Sequence, residues 1–279
     1  MKNNPDISKI KLFWENNPLF KGESKYDFGS SSFFEEHRKV YLEDVFNNCI
    51  ERYNIFPSKN KIENCLDLGC GVGFWSIEIP KRVYVKNMYC SDLTKTAIET
   101  TSTRLKSNGI HANLSIQNGE STTFENNFFD FVNCQGVIHH TENPELMIKE
   151  ISRILSKDGE ASISVYYKNF FIRNWNLLRV FGKMFYNLGI QFKGRGRESI
   201  LAEKQTDEIT RLYDGENNPK GLAYSKAEFI ETLSKYFIIQ DQFLYYFPSR
   251  IFPFKFPKKL HYFISRYFGF MICYKLTKI

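Results

Sequence analysis

Short apolar runs alternate with stretches of helical period along the first 167 residues. Asn64–Leu68, Tyr84–Cys90, Ala112–Gln117 and Ala161–Tyr167 read as buried strands. Between them, Phe74–Lys81, Thr94–Asn108 and Glu145–Leu155 read as helices. Upstream, Ile7–Trp14 predicts a short helix, and a loop carries Asn16-Asn17-Pro18 and Lys21-Gly22. Phe33, Phe34, His37, Val40, Tyr41, Val45, Phe46 and Ile50 then recur three and four apart, which predicts a helix from Ser32 to Tyr53. That helix reads as packing, with a cap over a ligand site, touched by Trp14 or Tyr26, as the functional alternative. Beyond Tyr167, Phe170–Ile190 reads as a basic aromatic amphipathic helix, Lys193–Arg197 as a loop and Glu198–Leu212 as another helix. Asp214–Gly221 is turn-rich, and Ser225-Lys226-Ala227-Glu228 is a capping box that starts a helix to Tyr236. Tyr236–Phe243 and Gly269–Leu276 predict two last strands.

The chemistry concentrates where the first strand ends, in Asp67-Leu68-Gly69-Cys70-Gly71-Val72-Gly73-Phe74. Glycines at every second position allow positive φ and close approach of a ligand to the backbone. N–H groups exposed at a helix start favour a polar or anionic group. A dinucleotide fingerprint would place its third glycine at Phe74, but here it falls at Gly73, with Asp67 two residues before the first. About twenty residues on, Asp92 stands at the tip of the second strand, where a carboxylate can accept both ribose hydroxyls. Leu93 beside it can cover one face of an adenine. N-capping of the next helix, together with Ser91, is the structural alternative for Asp92.

The pattern [DE]-x-G-x-G-x-G resembles the first motif of the class I S-adenosylmethionine (SAM) dependent methyltransferases. The segment Phe124–Thr141 is similar to that family's "PF-x-x-x-x-F-D-x-V" lead into the fourth strand, followed by its "G-V-(I/L)-H-H" turn. Leu155-Ser156-Lys157-Asp158-Gly159 resembles its "L-K-P-G-G" turn, with departures at the three middle positions. Covering residues 60–167 in order, the resemblance is to the type 11 branch, which includes quinone-biosynthesis enzymes. It implies an α/β fold, a Rossmann-like seven-stranded sheet with helices on both faces and an antiparallel last strand. It implies a helical cap over 1–59, a SAM-binding core over 60–167, a lid over 168–224 and a completed sheet over 225–279. SAM is the implied cofactor and S-adenosylhomocysteine the product. Its contacts fall on Asp67, Gly69, Cys70, Gly71, Gly73, Phe74, Asp92, Leu93, Gln135 and the loop Asn118-Gly119-Glu120. In that loop either Asn118 or Glu120 meets the adenine amino group, since the commoner Gly-Asp-Ala is replaced.

His139 and His140 are the candidate catalytic residues. Adjacent on a turn, with no carboxylate at ligand spacing, they make a poor metal site, so no metal is expected. One ring is expected against the sheet and the other on the pocket wall, with a general base for an acceptor hydroxyl or amine as the alternative; the resemblance implies that Gln135 and His139 face the sulfonium and acceptor. Candidate acceptor contacts are Trp14, Tyr26, Tyr167, Arg173, Arg195 and Arg197.

Composition narrows the partners. The net charge of +7 is uneven: residues 168–197 and 245–279 each hold seven Lys or Arg and no acid. Those segments fit a packed sheet edge, an anionic acceptor, or peripheral contact with an anionic membrane through 168–197 and 245–268. RNA ranks last, since no recognised RNA-binding module is present. The six cysteines lack C-x-x-C spacing and read as reduced core residues of a cytoplasmic protein. No apolar run reaches the ~18 residues a membrane span requires, and the first residues lack a secretory apolar segment. A small-molecule methyltransferase is therefore expected, with a non-catalytic SAM- or partner-binding protein, or an RNA methyltransferase, as alternatives.

Overall fold

The structure is a computed structural model that describes residues 6–187, 203, 205–249 and 256–279. Strands β1 (Lys61–Leu68), β2 (Tyr84–Asp92), β3 (Asn113–Ile116), β4 (Phe129–Gln135) and β5 (Leu155–Tyr167) pair in parallel. A two-residue β6 (Ala223–Tyr224) pairs with the end of β5, and β7 (Phe237–Tyr245) and β8 (Met271–Lys278) follow. The sheet order is β3-β2-β1-β4-β5-β8-β7, with β8 antiparallel to both neighbours. β6 makes the sheet eight-stranded where the sequence predicts seven, because two residues are too short to leave a periodic signal. Chain order reverses between β1 and β4, and ligands of open α/β sheets bind at the carboxyl ends beside such a reversal.

Strand alternation divides the core between two faces. On one face Cys65, Phe131 and Cys273 pack with Val45 and Phe46 of α2 (Ser31–Phe46), Phe74 and Trp75 of α3 (Phe74–Glu78) and Leu105 of α4 (Lys95–Ser107). On the other, Leu66, Val132 and Ile272 pack with Met147 and Ile151 of α5 (Pro144–Ile154) and Phe229 of α9 (Lys226–Leu233). Helices thus cover both faces. Cys65, Cys70, Cys90, Cys134 and Cys273 are buried free thiols and Cys49 is a half-buried one.

Several boundaries differ from the expected ones. α2 ends at Phe46, because Asn47 and Asn48 both take positive φ (53° and 57°) and break the helical ladder. Ile50 and Tyr53 keep the helical spacing only because the 3₁₀ turn Ile50–Arg52 also buries them. α1 runs from Ile7 to Asn16. The Leu155–Gly159 turn belongs to β5: Phe129 pairs with Leu155 and Phe131 with Glu160, so Ser156–Gly159 bulge from the ladder. The long helix expected over Phe170–Ile190 breaks into α6 (Phe170–Arg173) and α7 (Trp175–Asn187), Asn174 capping the first. The expected Glu198–Leu212 helix is α8 (Thr206–Leu212) within the described residues. The capping box is present: Ser225 Oγ accepts the Glu228 N–H, and the Glu228 carboxylate accepts the Ser225 N–H. After it, α10 spans Lys258–Phe268.

Candidate functional site

β1 ends in a turn made possible by glycine. Gly69, Gly71 and Gly73 adopt φ of 79°, 54° and 73°. A Cβ on Gly69 would lie 2.3 Å from Val137 Cγ2, whereas one on Gly71 would meet nothing within 4 Å. The turn is therefore tight behind and open in front, and in front lies a cavity of about 940 Å³. Asp92 braces it from the tip of β2. Its Oδ2 accepts the Gly71 N–H at 3.1 Å, and its Oδ1 accepts the Thr94 N–H and hydroxyl at 2.9 and 2.8 Å. The residue that caps α4 is Thr94, so Asp92 joins two turns instead of capping a helix itself. Burial pushes its carboxyl pKa up, against those hydrogen bonds.

The cavity runs along the carboxyl ends of the parallel strands. Gly69, Gly71, Asp92, Leu93, Asn118, Gly119, Glu120 and Gln135 all line it. Asn118 Oδ1 accepts the Glu120 N–H at 3.0 Å, and Glu120 in turn accepts the Asn143 N–H, which ties this loop to the start of α5. Gln135 Nε2 donates to Ser162 O and Oγ. Asp67, Cys70, Gly73 and Phe74 stand behind the turn, away from the cavity lining. The Asp67 carboxylate accepts from Ser76 Oγ at 2.6 Å and Asn133 Nδ2 at 2.9 Å. Burial raises its pKa to about 6 in spite of both bonds. Cys70 and Phe74 pack in the core, and Gly73 starts α3 against Thr101.

The two histidines part, and His139, the one expected to face the sulfonium and acceptor, is turned away from the cavity because it packs against Tyr166. His139 is fully buried, its ring 3.8 Å from that of Tyr166, and neither nitrogen has a hydrogen-bond partner among the described residues. Burial drives its pKa far below the usual value, so the ring stays neutral. His140 lines the cavity; its Nδ1 lies 2.7 Å from Lys220 O and its Nε2 3.6 Å from Asp214 Oδ2. Tyr166 donates its hydroxyl to Asp214 at 3.0 Å, and the Tyr213 and Tyr246 hydroxyls meet alongside. Trp14 packs edge-on against His140 at 4.9 Å and lines the same wall.

The N-terminal helix is fastened across the mouth at both ends. Glu142 accepts the Ile7 N–H, and Glu15 accepts the N–H groups of Lys95 and Thr96 at the start of α4. Of the other acceptor candidates, Tyr26 is exposed beside Lys25 and outside the lining. Tyr167 and Arg173 also fall outside it: Arg173 donates to the Tyr167 hydroxyl and to Lys168 O, a local pairing at the carboxyl end of β5. Arg195 and Arg197 lie outside the described residues. The sequence reading missed His37, Tyr166, Tyr213, Asp214 and Tyr246 as lining residues. His37 carried only a packing signal, and the others sit in segments without motif character. No group of three or more potential ligands suited to a metal exists among the described residues.

Comparison with known proteins follows this geometry. Residues 66–163 match the methyltransferase domain family. A stretch is 29% identical over 104 residues to the uncharacterized methyltransferase YcgJ of Bacillus subtilis, covering 37% of this chain and 40% of that protein. Another is 30% identical to the demethylmenaquinone methyltransferase of Leptospira interrogans, covering 43% of this chain and 57% of that protein. The chain thus spans about half the length of the curated relatives it matches. A SAM-dependent methyltransferase from Aquifex aeolicus superposes with a TM-score of 0.53 at 13% identity over 91% of this chain and all of that one, a likeness of fold.

Proposed function

We propose, for a chain whose residues 66–163 are a class I methyltransferase domain of the type 11 branch, SAM-dependent methylation of O, N or C on a small-molecule acceptor. One observation carries the reading: Gly69, Gly71 and Val72 of the turn, the tip carboxylate of Asp92 and the Asn118–Glu120 loop line a single cavity. These residues fit the cofactor. Gly71 leaves room where a Cβ would intrude, Leu93 offers an apolar face, and Asp92 and Glu120 offer acceptors for hydroxyl and amino groups.

When bound, SAM supplies a methyl group on a sulfonium, open to in-line displacement by an acceptor lone pair with the C–S electrons returning to sulfur. The protein's part is alignment and exclusion of water. α1 covers the mouth, and Trp14, His140, Tyr166, Asp214 and Tyr246 form the acceptor wall. Asp214, linked to His140 and Tyr166, is placed to take the proton that the acceptor loses. Residues 1–59 then serve as a cap and 168–224 as the acceptor-side insertion. Calorimetric titration with S-adenosylhomocysteine, with NAD and AMP as controls, tests the cofactor. Micromolar binding of S-adenosylhomocysteine alone is expected, and binding of NAD instead would overturn the reading. Release of S-adenosylhomocysteine during turnover separates an enzyme from a non-catalytic binder.

A second observation favours a lipid-like acceptor met at an anionic membrane. α7 exposes Leu177, Val180, Phe181 and Met184 at helical spacing beside Arg179 and Lys183. α10 exposes Leu260, Phe263 and Tyr267 beside Lys258, Lys259 and Arg266, and neither helix contains an acid. α6, which precedes α7, meets the end of α10 where Phe171 packs on Phe268. Basic and apolar residues on one helix suit a headgroup interface, and α10 also lends Lys258 and His261 to the cavity. Among the described residues no helix is long and apolar enough to cross a membrane. Co-sedimentation with anionic vesicles should fall about tenfold in a Phe181→Glu, Phe263→Glu double variant. Equal binding would remove this reading and leave the methyltransferase reading intact.

A further inference from the structure

His37 and Arg104 form a buried pair behind the cavity that the proposed chemistry does not use. Arg104, on α4, is 2% exposed. Its Nη1 donates to Val72 O at 3.0 Å and faces His37 Nδ1 at 3.3 Å, while its Nη2 donates to Phe34 O at 3.3 Å. A guanidinium has only donors, so His37 Nδ1 must be the acceptor and the single ring proton must sit on Nε2. Burial and the adjacent guanidinium lower the His37 pKa to about 3, which keeps the ring neutral. The ring is held in place by Phe20 at 5.3 Å and Tyr41 at 5.6 Å. Its Nε2–H is buried and has no partner among the described residues, yet His37 lines the cavity beside Gly69, Gly71 and Val72. A buried donor without an acceptor is costly, and a ligand acceptor removes that cost.

We propose that His37 Nε2–H binds the carboxylate at the amino-acid end of the cofactor, with Arg104 as the positioning residue that fixes the tautomer. Three observations point to that ligand group. The donor lies at the Gly-rich turn, where Arg104 joins its ring to Val72 O, whereas adenine is assigned to the Asn118–Glu120 loop. The acceptor is negative, because Arg104 places a buried cation directly behind the ring. Glu78, the acid whose charge reaches Arg104, is already held by Arg38 at 2.6 Å and Arg82 at 2.5 Å. The pair would therefore make the protein selective for SAM over its decarboxylated form.

This inference rests on the methyltransferase reading, and the test separates the two. Calorimetry compares S-adenosylhomocysteine with its decarboxylated form, which keeps the amine and the thioether and lacks only the carboxylate. The wild type should prefer S-adenosylhomocysteine by about tenfold or more, the scale of one charge-assisted hydrogen bond. His37→Phe keeps an aromatic ring in the packing and should abolish that preference, while His37→Gln, whose amide can still donate, should restore most of it. Nitrogen-15 imidazole spectra of the wild type give a readout free of any variant. His37 should show the Nε2–H tautomer, and its Nε2–H should move on adding S-adenosylhomocysteine but not decarboxylated S-adenosylhomocysteine. An Nδ1–H tautomer, or equal binding of both probes by the wild type, would overturn the inference while sparing the methyltransferase reading. Binding of neither probe would overturn both.

Discussion

The two walls of the cavity are built from different material. The wall at the ends of β1 to β4 is mostly backbone, glycine and one bracing carboxylate, drawn from residues 68 to 137. The opposite wall is made of side chains, with Trp14, Tyr166, Asp214, Tyr246 and His261 arriving from segments spread over the whole chain. Backbone geometry presents one shape and can serve a ligand common to a whole family. A side-chain wall can be rebuilt residue by residue for a particular acceptor. The difference assigns the cofactor to the first wall and leaves the identity of the acceptor to the second.

The sharpest way to break this comparison is Gly69→Val. It places a β-branched side chain at φ 79° with its Cβ 2.3 Å from Val137 Cγ2. S-adenosylhomocysteine affinity should fall about 100-fold or more by calorimetry, from backbone strain and overpacking together. Retained affinity would mean that the turn does not form the cofactor wall. Asp92→Ala removes the acceptor that holds both Gly71 and Thr94, and should weaken binding by about tenfold or more while circular dichroism stays unchanged.

Asp214→Asn sharpens the comparison from the other wall. Turnover should drop by about tenfold, the lower end of general-base effects, with S-adenosylhomocysteine affinity unaltered. A loss of affinity instead would show that the walls are not separable. The smallest effect concerns Asp67, whose folded pKa of about 6 lies above its unfolded value of 3.8. The stability this group contributes is present below about pH 4 and is lost as pH rises through about 6. Asp67→Asn should therefore gain on the wild type by an amount on the order of 1 kcal/mol between those pH values in urea unfolding. No relative gain would mean that the carboxylate is better solvated than its burial implies.

Much of the first wall was legible because it depends on neighbours in sequence. Three alternate glycines, an acid two residues before them and Asp92 about twenty residues on are local spacings, and the structure brings Gly69, Gly71 and Asp92 to one cavity as those spacings required. The placement of Asp67 was less legible. Period-two reading puts it near the turn but cannot tell that its side chain is taken by Ser76 and Asn133. His37 and the second wall left almost no trace. His37 has the same helical spacing as its packing neighbours, and only the approach of Arg104, 67 residues away, sets its tautomer. Asp214 sits in a turn-rich connector and gains its role from Tyr166 and His140.

The sequence by itself determined the succession of strands and helices up to Tyr167, the glycine turn and the capping box at Ser225, since each follows from periodicity, steric freedom or hydrogen bonding within a few residues. Tertiary structure alone decided which of two adjacent histidines faces the cavity, where α2 stops, and which remote side chains share the acceptor wall. Those outcomes depend on contacts between residues tens to hundreds of positions apart, for which local spacing carries no information.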